Sequence, residues 1–206
     1  MNQMALPLGW PTDPRDEAFL LTASNEAAVR TLEGWRDWPV RSALLTGPAR
    51  SGRSLLAGLF ARQSGARVID DAATVPEVEL FHAWNRAQED AQPLLIVADA
   101  LPPAWPVSLP DLRTRLAASP HAAIGAPDDA LSRALIARHL ERRGLPAPPD
   151  LVEWLVARVE RTHARIEAIA IALDRLSWER RRRLTIPLAR TLLIEAGFLT
   201  GLPEDA

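Results

Sequence analysis

The sequence predicts an α/β fold in which a parallel-sheet core with a glycine-rich loop is followed by an all-helical domain. Three observations predict this class. The loop joins an apolar, strand-like run at 42–46 to a helical run at 54–63. An amphipathic stretch at 77–89 separates two further apolar runs that fit buried strands, and everything after residue 128 has helical periodicity.

Composition narrows the class of protein. With 206 residues, the chain has room for one α/β domain and a smaller second one. A net charge of −2 argues against a protein whose whole surface binds nucleic acid. The lack of cysteine excludes disulfides and thiolate metal sites. The sequence shows neither a secretory signal nor an apolar window that would span a membrane. We therefore expect a cytoplasmic protein.

The glycine-rich loop has the pattern G-x4-G-R-S, one residue away from the phosphate-binding P-loop pattern G-x4-G-K-[ST]. Glycines let successive backbone N–H groups point towards phosphate oxygens, and the following helix adds the positive end of its dipole. We predict nucleotide binding by the whole loop; the alternative is an ordinary glycine turn between strand and helix. The predicted nucleotide-binding loop residues are Gly47, Pro48, Ala49, Arg50, Ser51, Gly52, Arg53 and Ser54.

Arg53 is the departure from that pattern. A lysine places a compact charge between the β- and γ-phosphates, whereas a guanidinium is larger and planar and does not simply replace it. All basic residues of this chain are arginine, so Arg53 also fits a general bias in composition. The loop therefore favours phosphate binding but not efficient hydrolysis.

Three aspartates follow the predicted strands. Asp70 and Asp71 end a short run of branched apolar residues that resembles the Walker B strand of P-loop ATPases. Asp99 lies at the carboxyl end of the apolar run 93–97. In that role Asp70 would hold Mg²⁺ together with Ser54, Asp71 would polarise water, and Asp99 would face the ligand. The alternative is a solvated acidic turn. Because only a few residues separate the loop helix from the first of these strands, we expect one βα unit to be shortened.

The first 17 residues are rich in proline and have no helical or strand period. Within them Gln3, Leu6, Pro7 and Leu8 resemble the peptide by which bacterial proteins dock on the DNA polymerase sliding clamp. In that mode Gln3 would form hydrogen bonds in the clamp groove, and the leucines would fill its apolar pocket. The alternative is an ordinary chain terminus with chance leucines.

Four short motifs carry a family resemblance: Val-Ile-Asp-Asp at 68–71, Leu-Phe-His-Ala-Trp-Asn at 80–85, Leu-Ile-Val-Ala-Asp at 95–99 and Leu-Pro-Asp-Leu-Arg-Thr-Arg-Leu at 109–116. Their order resembles the AAA+ superfamily and, within it, DnaA-type ATPase domains. With its clamp-like peptide and its helical end, the chain is similar to the Hda family of DnaA-related regulators. The resemblance implies three parts: a leader at 1–17, an AAA+ core at 18–126 and a helical lid at 127–206.

The resemblance also implies a function. Hda proteins dock on the sliding clamp of DNA polymerase III and stimulate hydrolysis of DnaA-bound ATP, which prevents re-initiation of replication. Arg115 would be the arginine finger supplied in trans to DnaA, and Arg113 is the weaker candidate; both also fit solvated helix arginines. Implied partners are DnaA and the clamp, with DNA reached only through the clamp and a homodimer left open. Implied cofactors are ADP or ATP with Mg²⁺.

One position of the helical region departs from the AAA+ pattern. The residue aligned with the usual sensor arginine is Glu167, and Arg165 lies half a turn away. A carboxylate repels phosphates, so we do not expect efficient turnover by the chain alone. Two other functions stay open: an autonomous P-loop ATPase or small-molecule kinase, and a nucleotide-free scaffold that binds the clamp or DnaA.

Overall fold

The computed structural model describes residues 19–180 and 183–199. Internal contacts divide the chain into two compact units, residues 1–125 and 126–206. Within the described residues the first unit is an α/β structure and the second is entirely helical. The predicted fold class is therefore confirmed. Within the described residues, every helix falls short of the length or the hydropathy that a transmembrane span requires.

The α/β unit contains a four-stranded parallel sheet in the order β2-β3-β1-β4. β1 and β3 are central and fully buried, as expected for apolar runs, while β2 and β4 form the edges. The strands are β1 (Ser42–Thr46), β2 (Arg67–Ile69), β3 (Leu94–Ala98) and β4 (His121–Ala123). The helices are α1 (Glu26–Glu33), α2 (Arg53–Ser64), α3 (Glu77–Glu89) and α4 (Pro110–Ala118), with 3₁₀ turns at Trp35–Asp37 and Ala72–Thr74.

Helices cover both faces of this sheet. Alternate residues of a strand point to opposite faces, so β1 contributes Leu45 to one hydrophobic cluster and Leu44 to another. The Leu45 cluster is built with α1 and α2, including Leu32 and Phe60. The Leu44 cluster is built with α3 and α4. The result is a three-layer core whose central strands are shielded from water on both sides.

The connection from α2 to β2 consists of Gly65 and Ala66 alone. Gly65 has a φ of 69°, the left-handed conformation that commonly ends helices, and its N–H donates to the carbonyl of Ala61. No further strand and helix fit in this interval. The predicted shortening of one βα unit is confirmed, and β2 lies at the edge of the sheet, where it has one strand neighbour.

The helical unit contains α5 (Asp129–Glu141), α6 (Pro149–Val156), α7 (His163–Arg180) and α8 (Ile186–Glu195). Asp128 caps α5 by accepting a hydrogen bond from the Leu131 N–H at 2.7 Å. The four helices enclose one hydrophobic cluster that includes the fully buried Leu140, Leu155 and Leu173. The sequence predicted that the region after residue 128 is helical, and these helices confirm it within the described residues.

Leu45→Ala tests the central position of β1. Leu45 is fully buried between the sheet and α1–α2, so the substitution leaves a cavity and should lower the free energy of unfolding by about 2–5 kcal/mol. Urea unfolding followed by tryptophan fluorescence measures this loss. The control is Val78→Ala, because Val78 is 58% exposed and its truncation should change stability by less than about 0.5 kcal/mol. Equal effects of the two substitutions would contradict the assignment.

Candidate functional site

The carboxyl ends of β1, β2 and β3 meet at one edge of the sheet because the strands are parallel. Thr46 pairs with Ala98, so the glycine-rich loop after β1 and Asp99 after β3 leave the sheet side by side. Ile69 pairs with Ile96 on the other side of β3, which places Asp70 one strand further along the same edge. The structure thus brings the loop and the three aspartates predicted from sequence to a single edge, where open α/β sheets bind ligands.

The glycine-rich loop has a tightly constrained backbone. Gly47 is buried, and a Cβ atom there would lie 3.0 Å from the Ile124 Cβ atom, so a larger residue would fit only if its neighbours shifted. The Ser51 N–H donates to the Pro48 carbonyl at 3.2 Å, which closes the loop. Arg50 and Gly52 both have positive φ, 64° and 86° respectively. Pro48 and the neighbouring Ala49 form the exposed tip.

The loop presents several features that fit a phosphate group. It leads directly into α2, a helix of 12 residues whose first N–H groups have no acceptor within the helix. Ser51 is only 6% exposed, and its Oγ has no hydrogen-bond partner among the described residues. The ring of Phe19 lies 3.3 Å from the position that a Cβ atom of Gly52 would take, so it covers the start of α2. A buried hydroxyl without a partner beside a helix N-terminus suits an anion.

Arg53 forms an ion pair with Asp99. Its Nη2 contacts the Asp99 Oδ1, linking the first residue of α2 to the residue after β3. The Arg53 side chain is 16% exposed, whereas that of Asp99 is 76% exposed. The Nη1 of Arg53 is buried and has no hydrogen-bond partner within the described part of the chain. The cation that replaces the P-loop lysine is therefore engaged by a carboxylate of its own chain.

The residues predicted to hold Mg²⁺ are exposed on this edge. Asp70 accepts a hydrogen bond from the Asp71 N–H at 2.9 Å, and Asp71 has a φ of 50°. Ser54 lies exposed in the first turn of α2. Among the described residues no group of three or more His, Asp and Glu side chains is arranged to hold a metal ion. A magnesium ion at Ser54 and Asp70 would therefore need phosphate oxygens of a nucleotide as further ligands.

Arg115, the predicted arginine finger, lies on α4 against the outer side of α3. Its guanidinium carbon is 4.3 Å from the ring centre of Phe81 and 5.2 Å from that of Trp84. Its Nε donates to the Asn85 Oδ1 at 3.1 Å, and its Nη1 donates to the Asp111 carbonyl at 3.3 Å. The side chain is partly exposed. Stacking and hydrogen bonds hold the guanidinium in one orientation outside the hydrophobic core.

A buried hydroxyl network anchors the end of α4 to the sheet. The Ser119 Oγ lies 2.6 Å from the Ser42 Oγ of β1 and donates to the Arg115 carbonyl at 3.0 Å. The indole N–H of Trp84 donates to the same Ser119 oxygen at 3.2 Å. The backbone that carries Arg115 and the ring on which it stacks are thus tied to the central strand.

Glu77 anchors the start of α4 from the first turn of α3. Its carboxylate accepts the backbone N–H groups of Ser108 at 2.8 Å and of Leu109 at 2.6 Å. These two hydrogen bonds lower the pKa of Glu77 below the usual 4.5, and the bond from Ser108 has the larger effect. The nearby positive charge of Arg113 lowers the pKa further. Arg113 itself is exposed and lines a separate, mostly apolar cavity of about 600 Å³ beside α4.

The remaining predicted positions lie elsewhere. Gln3, Leu6, Pro7 and Leu8 are outside the described residues. In the helical unit, Arg165 stacks on Phe198, with 4.4 Å between its guanidinium carbon and the ring centre. Glu167 is partly exposed on α7. Burial lowers the pKa of His139, and the negative charge of Glu167 partly opposes that shift.

Sequence reasoning did not assign roles to three residues of α3. Phe81, Trp84 and Asn85 were recognised only as part of a family motif, yet they form the surface that holds Arg115. Their spacing of i, i+3 and i+4 was the available signal, because it places them on one helix face. The pairing of Arg53 with Asp99 had no sequence signal, since it depends on which strand lies next to β1.

A family model and a curated protein each match part of this chain. Residues 128–193 match the family model described as the Hda lid domain. An uncharacterised protein of Haemophilus influenzae is 29% identical over 119 residues, which cover 57% of this chain and 51% of that protein. The chain therefore spans about half the length of this curated relative.

Solved structures share the fold at low sequence identity. Domain III of the replication initiation protein DnaA from Thermotoga maritima matches with a TM-score of 0.71 and 17% identity, covering 88% of this chain and 95% of that one. AMPPCP-bound DnaA from Aquifex aeolicus matches with a TM-score of 0.59 and 16% identity, covering 79% of this chain and 67% of that one. The RuvB Holliday junction branch migration motor of Thermotoga maritima matches with a TM-score of 0.59 and 15% identity, covering 82% of this chain and 66% of that one. At these identities the matches establish the fold.

Glu77→Gln tests the anchor of α4. The folded-state pKa of Glu77 is lowered, so its contribution to stability is present above about pH 4.5 and is lost as the pH falls through the folded-state pKa. At pH 7 the substitution should lower the free energy of unfolding, and the difference from the unsubstituted protein should shrink in acid. Urea unfolding at several pH values measures this. Glu79→Gln, an exposed change on the same turn, is the control and should change stability by less than about 0.5 kcal/mol at pH 7; a pH-independent effect of Glu77→Gln would contradict the account.

Proposed function

We propose that this chain is an AAA+ protein related to Hda and DnaA and that it regulates DnaA-dependent initiation of replication. In this proposal it docks on the DNA polymerase III sliding clamp and supplies Arg115 in trans to ATP bound by DnaA. Hydrolysis of that ATP would then prevent re-initiation. The observation that carries the proposal is the placement of Arg115 on α4, where its partly exposed side chain is held by defined contacts with α3.

The chemistry of Arg115 suits this role. Charge develops on the γ-phosphate oxygens as ATP is cleaved, and a guanidinium stabilises that charge with several N–H donors. Arginine fingers in GTPases contribute about 10³–10⁵ in rate. Phe81 and Asn85 orient the guanidinium, and within the described residues its Nη2 has no hydrogen-bond partner. Such prior orientation reduces the entropy lost when the finger engages a neighbouring nucleotide.

The glycine-rich loop supports nucleotide binding by the chain itself. The N-terminus of α2, the unpartnered Ser51 hydroxyl and the left-handed Gly52 fit ADP or ATP. Ser54 and Asp70 would hold Mg²⁺ together with phosphate oxygens of the nucleotide. Efficient turnover is not part of the proposal, because Arg53 replaces lysine and is paired with Asp99. This pair argues against an autonomous ATPase or kinase. The Hda-type helical unit favours regulation instead.

Arg115→Ala tests the finger. In a hydrolysis assay with ATP-bound DnaA and DNA-loaded clamp, stimulation by this protein should fall by at least about 100-fold, because the transition-state charge loses its donor. Binding of the variant to the clamp should not change. Omitting DnaA, the clamp or this protein in turn shows which partners the stimulation requires.

Arg113→Ala is the matched control for this test, since it removes the same charge two residues away on α4. It should keep most of the stimulation, because Arg113 does not stack on α3 and instead lines the neighbouring cavity. Loss of stimulation in Arg113→Ala with activity kept in Arg115→Ala would reassign the finger. Stimulation undiminished in both variants would overturn the proposed mechanism.

A double substitution of Gln3 and Leu6 to Ala tests the clamp peptide. It should weaken binding of the chain to the clamp by at least about tenfold, because it removes one hydrogen-bonding anchor and one apolar anchor. Surface plasmon resonance on immobilised clamp measures the affinity. Replacing Asn2 by Ala is the control and should have little effect. Clamp binding that survives the double substitution would exclude the leader as the docking segment.

A further inference from the structure

The ion pair between Arg53 and Asp99 lies where a P-loop cation would meet phosphate. Arg53 is the first residue of α2, directly after the left-handed Gly52, and it is mostly buried. Asp99 reaches it from the end of the neighbouring strand β3 and is mostly exposed. Beside the pair, the buried Ser51 Oγ has no hydrogen-bond partner among the described residues. The loop therefore keeps one polar group available while its cation is engaged.

We propose that Asp99 acts as an internal counter-anion of the glycine-rich loop. The carboxylate holds Arg53 until a phosphate-bearing ligand displaces it, and this competition lowers the affinity of the site for phosphate groups. The inference rests on the proposed function, because it concerns the regulation of the nucleotide site assigned there. It explains how a mostly buried guanidinium is neutralised when no phosphate is present.

The exposure of the two partners indicates that the pair can be broken. Asp99 is 76% exposed, so water solvates its carboxylate once Arg53 turns to another anion. Exposed ion pairs contribute little to stability, and their loss costs correspondingly little. Arg53, at 16% exposure, is less well solvated and needs an anionic partner in either state. A phosphate group bound at the N-terminus of α2 would supply that partner.

A purely structural role is the competing explanation, in which the pair ties α2 to β3 and has no effect on ligands. The two explanations differ in the sign of one measurement. If Asp99 competes with phosphate, its neutralisation tightens ligand binding. If it only ties the two elements together, neutralisation lowers stability and leaves affinity unchanged or weaker.

The test is the affinity of the full chain for pyrophosphate and for ADP, measured by isothermal titration calorimetry at constant Mg²⁺. Asp99→Asn should bind both ligands about threefold to tenfold more tightly than the unsubstituted protein. Asp90→Asn is the matched control: it removes the same charge from an exposed residue at the end of α3 and should leave affinity unchanged. Circular dichroism checks the fold, and Asp99→Ser replaces Asp99→Asn if the latter does not fold.

A double-mutant cycle separates displacement of Arg53 from simple removal of a negative charge. In an Arg53→Ala background, the Asp99→Asn gain should fall below about twofold, because no cation remains to be released. An equal gain with and without Arg53 would overturn the proposal. So would an unchanged or weaker affinity of Asp99→Asn, or no binding of millimolar pyrophosphate by any variant.

The outcome is independent of the arginine-finger test. Pyrophosphate binding by the isolated chain does not involve Arg115, and stimulation of DnaA hydrolysis is measured on another protein's nucleotide. If Asp99→Asn does not bind pyrophosphate more tightly but Arg115 is needed for stimulation of DnaA, only the counter-anion role of Asp99 is excluded. If Asp99→Asn binds pyrophosphate more tightly but Arg115→Ala stimulates DnaA normally, only the mechanism in trans is excluded.

Discussion

The parallel pairing of β1 with β3 is the constraint on which the candidate site depends. Its register aligns Thr46 with Ala98, so the glycine-rich loop and Asp99 leave the sheet at the same level. Both strands are fully buried, and a change of register would move their apolar side chains to the wrong faces. The hydrophobic core therefore determines how closely Arg53 approaches Asp99, and through that pair it determines the charge of the loop.

A second contact, between α3 and α4, determines the position of Arg115. Glu77 holds the beginning of α4 and the Ser119 network holds its end, so the helix is anchored on both sides of the arginine. The guanidinium then rests on aromatic rings of α3 and not in the core. The same elements that fill one hydrophobic cluster therefore present a cation on the outer surface.

The two arginines illustrate how context determines the role of one side-chain type. Arg53 is mostly buried and neutralised by a carboxylate of its own chain. Arg115 has no carboxylate partner among its described contacts and is oriented by aromatic faces and an amide. A cation that keeps its charge available to an incoming phosphate is the better candidate for action on a neighbouring molecule. Because this chain has no lysine, the two cationic side chains are of the same type, and only their neighbouring groups distinguish them.

Local sequence patterns were enough to predict the fold class, most element positions and the shortened connection after α2, and to name the candidate residues. Hydrophobic period, glycine and proline positions and motif order are local properties, and they are readable without long-range contacts. Three contacts became visible in the folded chain alone: Arg53 pairs with Asp99, Arg115 stacks on Phe81, and Glu77 anchors α4. Each of these contacts joins elements far apart in the chain. Strand order and helix packing bring them together, and both depend on the burial of the whole core.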